Sequence, residues 1–277
     1  MNVVLPARRL IINADDFGRS HSINQAVIRA HRDGVLTTAS LMVNGEAFDE
    51  AVELARQHLN LGVGLHLTLV CGTASLPREK IPGLINEKGE FSNDPIRSGL
   101  AYFTRQGLRK ELKAEMAAQF EKFCRTGLAL DHVDGHLNMH LHPTVFALLM
   151  EDARTWNVTA LRLTRDPFWL NVRLARGSWL YRISHAFIYS LLSRHARPAL
   201  WRLGIRHTQQ VFGLLQNARV NEEFFCKLIS QLPRGDSELY SHPSLDEFKH
   251  EFDALISPRV RKRIEEEEIE LIRYQDL

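Results

Sequence analysis

The chain has 277 residues and a mass of 31.8 kDa, with 44% hydrophobic residues, 25% charged residues and a formal net charge of +2. This composition excludes a disordered chain, and the charge balance gives no reason to expect a nucleic acid as partner. The three cysteines are an odd number, lie far apart and lack C-x-x-C spacing, so they suggest neither a disulfide framework nor a thiolate metal site, and a reducing compartment fits best.

The N-terminal segment, residues 1–9, has no long apolar core after a basic start. A signal peptide is therefore not expected, and cytoplasm is the expected location. A chain of this length fits one large α/β domain or two ordinary ones.

The first predicted strand ends in two adjacent acids, Asp15 and Asp16. Neighbouring side chains point to opposite faces of a strand, unless the strand is ending and the chain can aim both at one cleft. One acid could then hold a metal ion while the other takes a proton. Acid pairs are also common as plain surface charge, so this pair alone leaves both interpretations open.

The next elements repeat a strand-and-helix pattern. Capping-box spacing at residues 22–25 predicts a helix that ends at Gly34, followed by a strand at about 38–43 and a helix at about 46–58. Residues 62–70 alternate as a strand that carries His66 on the face opposite its aliphatic side chains. Residues 71–107 are rich in proline and glycine, which predicts a long loop used as a substrate-binding excursion, and a helix is expected at 108–125.

The next predicted strand, residues 129–134, leads into a cluster of four histidines: His132, His136, His140 and His142. This density indicates a metal or catalytic role, although four histidines cannot all bind one ion. His136 and His140 have the spacing of a helical i, i+4 pair, but the residue after His136 is not glutamate, which excludes the H-E-x-x-H protease pattern. His140 is expected either to contact substrate or to support a ligand from behind. Pro143 is well placed to begin a helix over 144–155.

Two further strands are predicted, at 160–163 and at 238–243, and the second delivers His242 just before a proline. An amphipathic helix rich in glutamate and arginine closes the chain. Alternating strands and helices imply a parallel sheet, either open and doubly wound or closed as a barrel. Because the polar candidates lie at strand C-terminal ends, where barrel active sites are built, we favour an irregular (β/α) barrel.

Residues 167–220 form an arginine-rich insert with eight arginines and no acid, so this segment carries +8 and the rest of the chain −6. It also holds three of the four tryptophans and an apolar run at 186–192. Such a composition suits a helix on a membrane surface, but the run is shorter than the roughly 20 residues needed to span a bilayer. The alternative is a helical pair that covers the barrel with a solvated arginine face.

One carboxylate and two neutral imidazoles, with a position left for water, make a hydrolytic metal centre. Asp16, His66 and His136 can supply that set, Asp15 is the candidate base, and His242 could return a proton to a leaving amine. A non-catalytic metal- or sugar-binding protein is a rival interpretation, but it has no need for an unliganded acid beside the ligands. A metal-dependent phosphoesterase would be expected to use more carboxylates.

Four segments in order, residues 13–18, 64–67, 134–140 and 239–243, resemble the YdjC-type carbohydrate deacetylases. The resemblance implies one deacetylase domain over residues 1–277, an irregular α/β barrel of the glycoside hydrolase/deacetylase type that carries the insert. It also implies that Asp16, His66 and His136 bind one divalent ion and that Asp15 is the base acting on an acetamido sugar. Both Mg²⁺ and Zn²⁺ fit such ligands.

Residues 130–136, residues 140–145 and the arginine-rich insert resemble the hopanoid-biosynthesis-associated branch of that family. This resemblance implies N-acetylglucosaminyl bacteriohopanetetrol as substrate, with a soluble chito-oligosaccharide as the alternative. His140 and His142 are the candidate substrate-binding residues. Peripheral association with the inner membrane through residues 167–206 and a homodimer are both compatible with the sequence.

Overall fold

A computed structural model describes residues 7–277. The prediction that no signal peptide is present rests mostly on residues 1–6, which lie outside the described residues. The described chain forms a parallel sheet in the order β4-β3-β2-β1-β6-β5, with β7 paired to β1. Its strands are β1 (Arg8–Phe17), β2 (Thr38–Leu41), β3 (Gly62–Leu67), β4 (Val133–Gly135), β5 (Gln210–Phe212), β6 (Gly235–Ser241) and β7 (Glu270–Leu271).

The two edges of this sheet meet through a short segment at residues 160–161. Leu161 forms a parallel bridge to Val133 of β4, and Ala160 forms one to Arg206, which lies just before β5. The strand predicted at 160–163 is thus reduced to two bridges. The sheet curls into an irregular α/β barrel, as predicted.

Ten helices cover the described barrel. They are α1 (His21–Asp33), α2 (Phe48–Gln57), α3 (Pro95–Thr104), α4 (Leu108–Arg125), α5 (Pro143–Asp152), α6 (Phe168–Leu174), α7 (Trp179–Leu203), α8 (Glu222–Ser230), α9 (Lys249–Leu255) and α10 (Pro258–Glu266). The prediction of α4 is confirmed, as is Pro143 as the first residue of α5. Over residues 7–277, no helix is long and apolar enough to cross a membrane.

The start of α1 corrects the capping prediction. Ser20, not Ser22, is the N-cap, and its side chain accepts from the backbone N–H of Ile23. The hydroxyl of Ser22 instead accepts from the backbone N–H of Leu245. A tertiary contact therefore uses the serine that the sequence pattern assigns to the helix, while Gly34 ends α1 as predicted.

Helix α3 lies inside the segment predicted to be a loop. Asp94 caps it by accepting from the backbone N–H groups of Ile96 and Arg97, and Pro95 is its first residue. Aspartate followed by proline is an N-terminal helix signal that the proline-rich composition of the segment obscured.

The arginine-rich insert is not helical throughout, which corrects its description as a helical insert. Helices α6 and α7 fill its first part, but β5 then joins the sheet beside β6. Helix α7 ends at Gly204, whose φ of 69° is the left-handed conformation typical of glycine at this position. The insert thus contributes a strand to the barrel as well as a helical cover.

Strand β3 is buried on both faces, as expected for a parallel strand under helices. Val63, Leu65 and Leu67 pack into the main core, which confirms the predicted alternation. On the other face, Gly64 leaves room for the imidazole of His132. A Cβ atom at position 64 would lie 2.4–2.6 Å from the ring atoms of His132.

Replacing Gly64 with alanine should lower the free energy of unfolding by about 1–3 kcal/mol, because the His132 ring must move within a packed interior. Urea denaturation of the purified variant measures this loss. Gly107→Ala is the matched control, since no atom lies within 4 Å of a Cβ there and the backbone is helical, with φ −60°. Equal midpoints for the two variants would contradict the prediction.

Candidate active site

The acid pair lies in the last residues of β1, where the strand loses its regular pleat. Asp16 has a φ of 64°, a left-handed conformation that is costly for a residue other than glycine. The register with β2 also shifts between Ala14 and Phe17. As a result Asp15 and Asp16 line the same cavity instead of pointing to opposite faces.

Asp16, His66 and His136 converge on one point. The Oδ1 atom of Asp16 lies 3.3 Å from His66 Nε2 and 3.0 Å from His136 Nδ1, and one ligand atom from each residue lies within 4.8 Å of the others. Ligands held at about 2.0–2.2 Å from a common ion are themselves roughly 3 Å apart. The donor atoms of these three buried residues are therefore close enough together to bind a single divalent ion.

The pKa values of this trio reflect their mutual contacts. Burial alone would raise the pKa of the Asp16 carboxyl, but His136 and His66 hold it well below its usual range. Burial would lower the pKa of His66, yet the carboxylates of Asp134 and Asp16 raise it to about 10. A metal ion must therefore displace a proton from His66 Nε2 before it can bind there.

Asp134 orients His66, and the sequence analysis did not assign it a role. Its Oδ1 lies 2.7 Å from His66 Nδ1, and its Oδ2 accepts from the hydroxyl of Ser40 at 2.8 Å. This contact directs the other ring nitrogen, Nε2, at Asp16. Burial would raise the pKa of Asp134, but Arg162 and His66 lower it. Its position two residues before His136 is the available sequence signal.

Arg162 is the second residue that sequence reasoning missed. It is fully buried; its Nη1 and Nη2 donate to the two oxygens of Asp15 at 2.9 and 2.7 Å, and its Nε donates to Glu238 at 2.8 Å. Nη1 also lies 2.8 Å from Asp134 Oδ2. Burial would lower the pKa of Arg162, but the three carboxylates raise it well above its usual value. The only sequence signal is a charged residue inside an apolar segment.

His242 follows β6 and faces Asp15 across the cavity. Its Nε2 lies 3.9 Å from Asp15 Oδ2, and its Nδ1 lies 3.8 Å from Oε2 of the buried Glu251. Burial lowers the pKa of His242, whereas Glu251 and Asp15 raise it, with a result of about 9. His242 therefore carries a proton at neutral pH. Glu251 is a third residue that the sequence analysis did not identify.

The structure separates the clustered histidines. Leu137 and Asn138 have φ values of 52° and 57°, so the chain turns sharply after His136 and no helical i, i+4 pair forms. His140 is fully buried and its Nε2 donates to the backbone carbonyl of Arg162 at 2.9 Å, so it does not line the cavity. His142 does line it. A role in binding substrate remains a prediction for both residues.

The cavity has a volume of about 810 Å³. Its polar floor is formed by Asp15, Asp16, His136 and His242. Its walls come from α3, inside the predicted excursion, and from α7 of the insert. The segment predicted as a substrate-binding excursion and the arginine-rich insert therefore both border the acid and histidine cluster.

Comparison with known proteins gives one family and several relatives. The family model described as "YdjC-like protein" matches residues 9–266. A carbohydrate deacetylase of Brevibacillus brevis is 40% identical over 150 residues, and one of Geobacillus stearothermophilus is 39% identical over 151 residues. The alignments cover 54% of this chain and little more than half of those relatives, 57% and 58%. A carbohydrate deacetylase of Clostridium beijerinckii is 29% identical over 97% of this chain and 100% of its own length.

Solved structures show the same architecture. A crystal structure described as a cellobiose-phosphate cleavage protein, from Enterococcus faecalis V583, superposes with a TM-score of 0.74, 27% identity and 98% coverage of both chains. An uncharacterized protein of Agrobacterium tumefaciens C58 superposes with a TM-score of 0.52 over 97% of this chain and 88% of its own. At 12% identity the second likeness shows the fold alone.

Metal affinity should rise with pH between 6 and 8, because an ion and a proton compete for His66 Nε2. Titration calorimetry with Zn²⁺ at pH 6, 7 and 8 should give an affinity gain on the order of tenfold per pH unit for one displaced proton. Asp134→Asn should weaken binding by about 10–100-fold, since the support of His66 is lost. A pH-independent affinity would refute the competition.

Proposed function

This chain belongs to the YdjC-like protein family, and on that premise we propose that it is a metal-dependent hydrolase that removes the N-acetyl group from an acetamido sugar. Relatives named carbohydrate deacetylase support the reaction class, among them one aligned over its full length. The observation that carries the proposal is the placement of Asp15: it lies beside Asp16, His66 and His136, whose ligand atoms lie within 4.8 Å of one another, and its Oδ2 lies 3.9 Å from His242 Nε2.

The ligand trio would hold the ion through one carboxylate and two imidazoles. A divalent ion bound by Asp16, His66 and His136 would lower the pKa of a coordinated water and polarise the acetamide carbonyl. This donor set accepts Mg²⁺ or Zn²⁺. His66 would hold the ion through Nε2, because its Nδ1 is hydrogen-bonded to Asp134.

Asp15 takes the proton of the attacking water. Its Oδ1 already accepts from Arg162 and from the amide of Asn13, and its Oδ2 accepts from Arg162 once. A carboxylate offers about four acceptor positions, so one remains on Oδ2, the oxygen that faces His242. The bidentate contact with Arg162 fixes the carboxylate plane and thus the direction of that free position.

His242 supplies the second proton transfer. At neutral pH it is an imidazolium, and it donates its Nε2 proton to the amide nitrogen as the C–N bond breaks. The water oxygen becomes part of acetate, and the sugar leaves as a free amine. Glu251 keeps the imidazole charged between turnovers.

We propose further that the sugar is carried on a lipid, as N-acetylglucosaminyl bacteriohopanetetrol, and that residues 167–206 contact the cytoplasmic surface of the inner membrane. Apolar side chains support this: Ile96 and Leu100 of α3 and Ile188 of α7 line the cavity, and they are 83%, 64% and 48% exposed. Phe187 on α7 is also exposed, at 65%. A soluble chito-oligosaccharide remains the alternative substrate, but it is polar and would gain little from exposed apolar side chains at the cavity entrance.

Purified protein supplied with metal should release acetate from N-acetylglucosaminyl bacteriohopanetetrol, and Asp15→Asn should reduce the rate by at least about 10²-fold while metal stays bound. Acetate release and metal content are measured on the same samples. Asp236→Asn is the matched control, because Asp236 pairs with Arg9 near the start of β6, at the other end of the strand from His242. Full activity of Asp15→Asn would end its assignment as base.

Soluble di-N-acetylchitobiose, assayed beside the lipid, separates the substrate classes. Release from the lipid alone supports the hopanoid substrate. Release from the disaccharide alone keeps the deacetylase and removes the lipid. Release from neither, by metal-loaded protein, favours a non-catalytic binding protein on the same fold.

The alkaline limb of the kcat/KM profile should report loss of the proton from His242, so activity falls as pH rises through about 9. Glu251→Gln removes a charge that raises the pKa of His242, so this limb should move to lower pH by on the order of one unit. Glu265→Gln, an exposed acid on α10, should leave the limb in place. An unmoved limb in Glu251→Gln would show that another group donates the proton.

A further inference from the structure

A second cavity, of about 760 Å³, lies between the insert helices α6 and α7 and the following helix α8. We name it the arginine cavity after its cationic lining residues, Arg173, Arg176, Arg182, Arg219 and Lys227. Glu223 is the one acid in the lining, and it is paired with Lys227 at 2.6 Å. The cavity therefore holds a large excess of positive charge.

Three of these arginines have no side-chain hydrogen bond or ion pair within the described chain: Arg173, Arg176 and Arg219. All three are exposed at the cavity edge. Like charges gathered around one concavity repel each other, so the arrangement is unfavourable until an anion enters. No acid in the insert offsets them, because residues 167–220 contain none.

Arg182 places a buried guanidinium in the lining of the arginine cavity. The residue is only 3% exposed; its Nη1 donates to the carbonyl of Ala175 at 2.8 Å, while its Nε and Nη2 are buried without a partner. The buried carboxyl of Asp166 attracts it, but Asp166 accepts instead from Asn171 and from the backbone N–H of Leu215. A buried guanidinium with unmet donors is costly unless a ligand supplies acceptors.

We propose that the arginine cavity binds a phosphate-bearing ligand, with Arg182 as the buried contact and Arg173, Arg176 and Arg219 as the outer ones. Phosphate carries up to two charges and several acceptor oxygens, which suits a group of guanidinium forks better than a single carboxylate does. Gln216 Oε1, an unpartnered acceptor in the same lining, could receive a hydroxyl of the ligand. This site is separate from the ligand trio and does not rest on the proposed deacetylation.

The phosphate has two plausible sources, and the surroundings fit both. Tyr181 and Asn217 line both the arginine cavity and the cavity of the candidate active site, so a small phosphate-bearing molecule could enter either cavity. At the start of α7, Trp179 and Leu180 are 56% and 83% exposed next to the arginine cavity, as a site for an anionic lipid headgroup would require.

The test uses the whole protein with three probes: inorganic phosphate and pyrophosphate by calorimetry at constant ionic strength, and vesicles of phosphatidylglycerol against phosphatidylcholine by sedimentation. The variant is the triple change Arg173→Gln, Arg176→Gln and Arg219→Gln, which alters exposed residues only. The matched control is Lys80→Gln, Lys110→Gln and Arg154→Gln, also exposed and outside both this cavity and residues 167–206. Far-ultraviolet circular dichroism checks that each protein is folded.

We expect saturable binding that the cavity variant weakens at least about tenfold and that the control changes less than about twofold. Binding of phosphate or pyrophosphate identifies a small ligand, and binding of phosphatidylglycerol vesicles alone identifies a lipid headgroup. The proposal is overturned if no probe binds, or if both triple variants lose affinity equally, since general surface charge then explains the effect. Acetate release plays no part in this test.

Discussion

A single buried charge, the guanidinium of Arg162, is the constraint on which the candidate site depends. Removing this charge from water is affordable only because Asp15, Asp134 and Glu238 surround it with acceptors. Asp15 is the proposed base, Asp134 supports His66, and Glu238 lies on β6, so Arg162 contacts all three parts of the site. Arg162 also follows the two bridges that join the sheet edges. The segment that bridges the two sheet edges therefore also carries the side chain that orients the acids.

Two different buried carboxylates, Asp134 and Glu251, hold the two histidines His66 and His242. The pKa values of His66 and His242 are both raised, but by different carboxylates: Asp134 acts on His66, and Glu251 acts on His242. Asp134 holds His66 from behind and leaves its other nitrogen among the ligand atoms. Glu251 lies behind His242 and leaves its free nitrogen facing Asp15. In the proposed mechanism, His66 gives up its proton to the metal ion, whereas His242 keeps its proton for transfer to the leaving amine.

The arginine-rich insert borders both the cavity of the candidate active site and the arginine cavity. Helix α7 supplies one wall of that cavity, and its first turn borders the arginine cavity. Strand β5 of the same insert is part of the sheet. The arginines are thus carried by a segment that the barrel fixes in place, so the positive surface has a defined position relative to the site floor.

The sequence alone determined the alternating elements and the helix boundaries marked by Pro143 and Gly34, and it predicted Asp16, His66 and His136 as candidate metal ligands, because these inferences depend on local patterns and residue type. It did not determine α3, whose Asp94 cap lay within a loop-like composition, or the true cap of α1. Only the tertiary structure revealed the contacts of Arg162, Asp134 and Glu251. Arg162 and Asp15 are 147 residues apart and His66 and Asp134 are 68 apart, so folding, not local pattern, creates these contacts and the pKa values that follow.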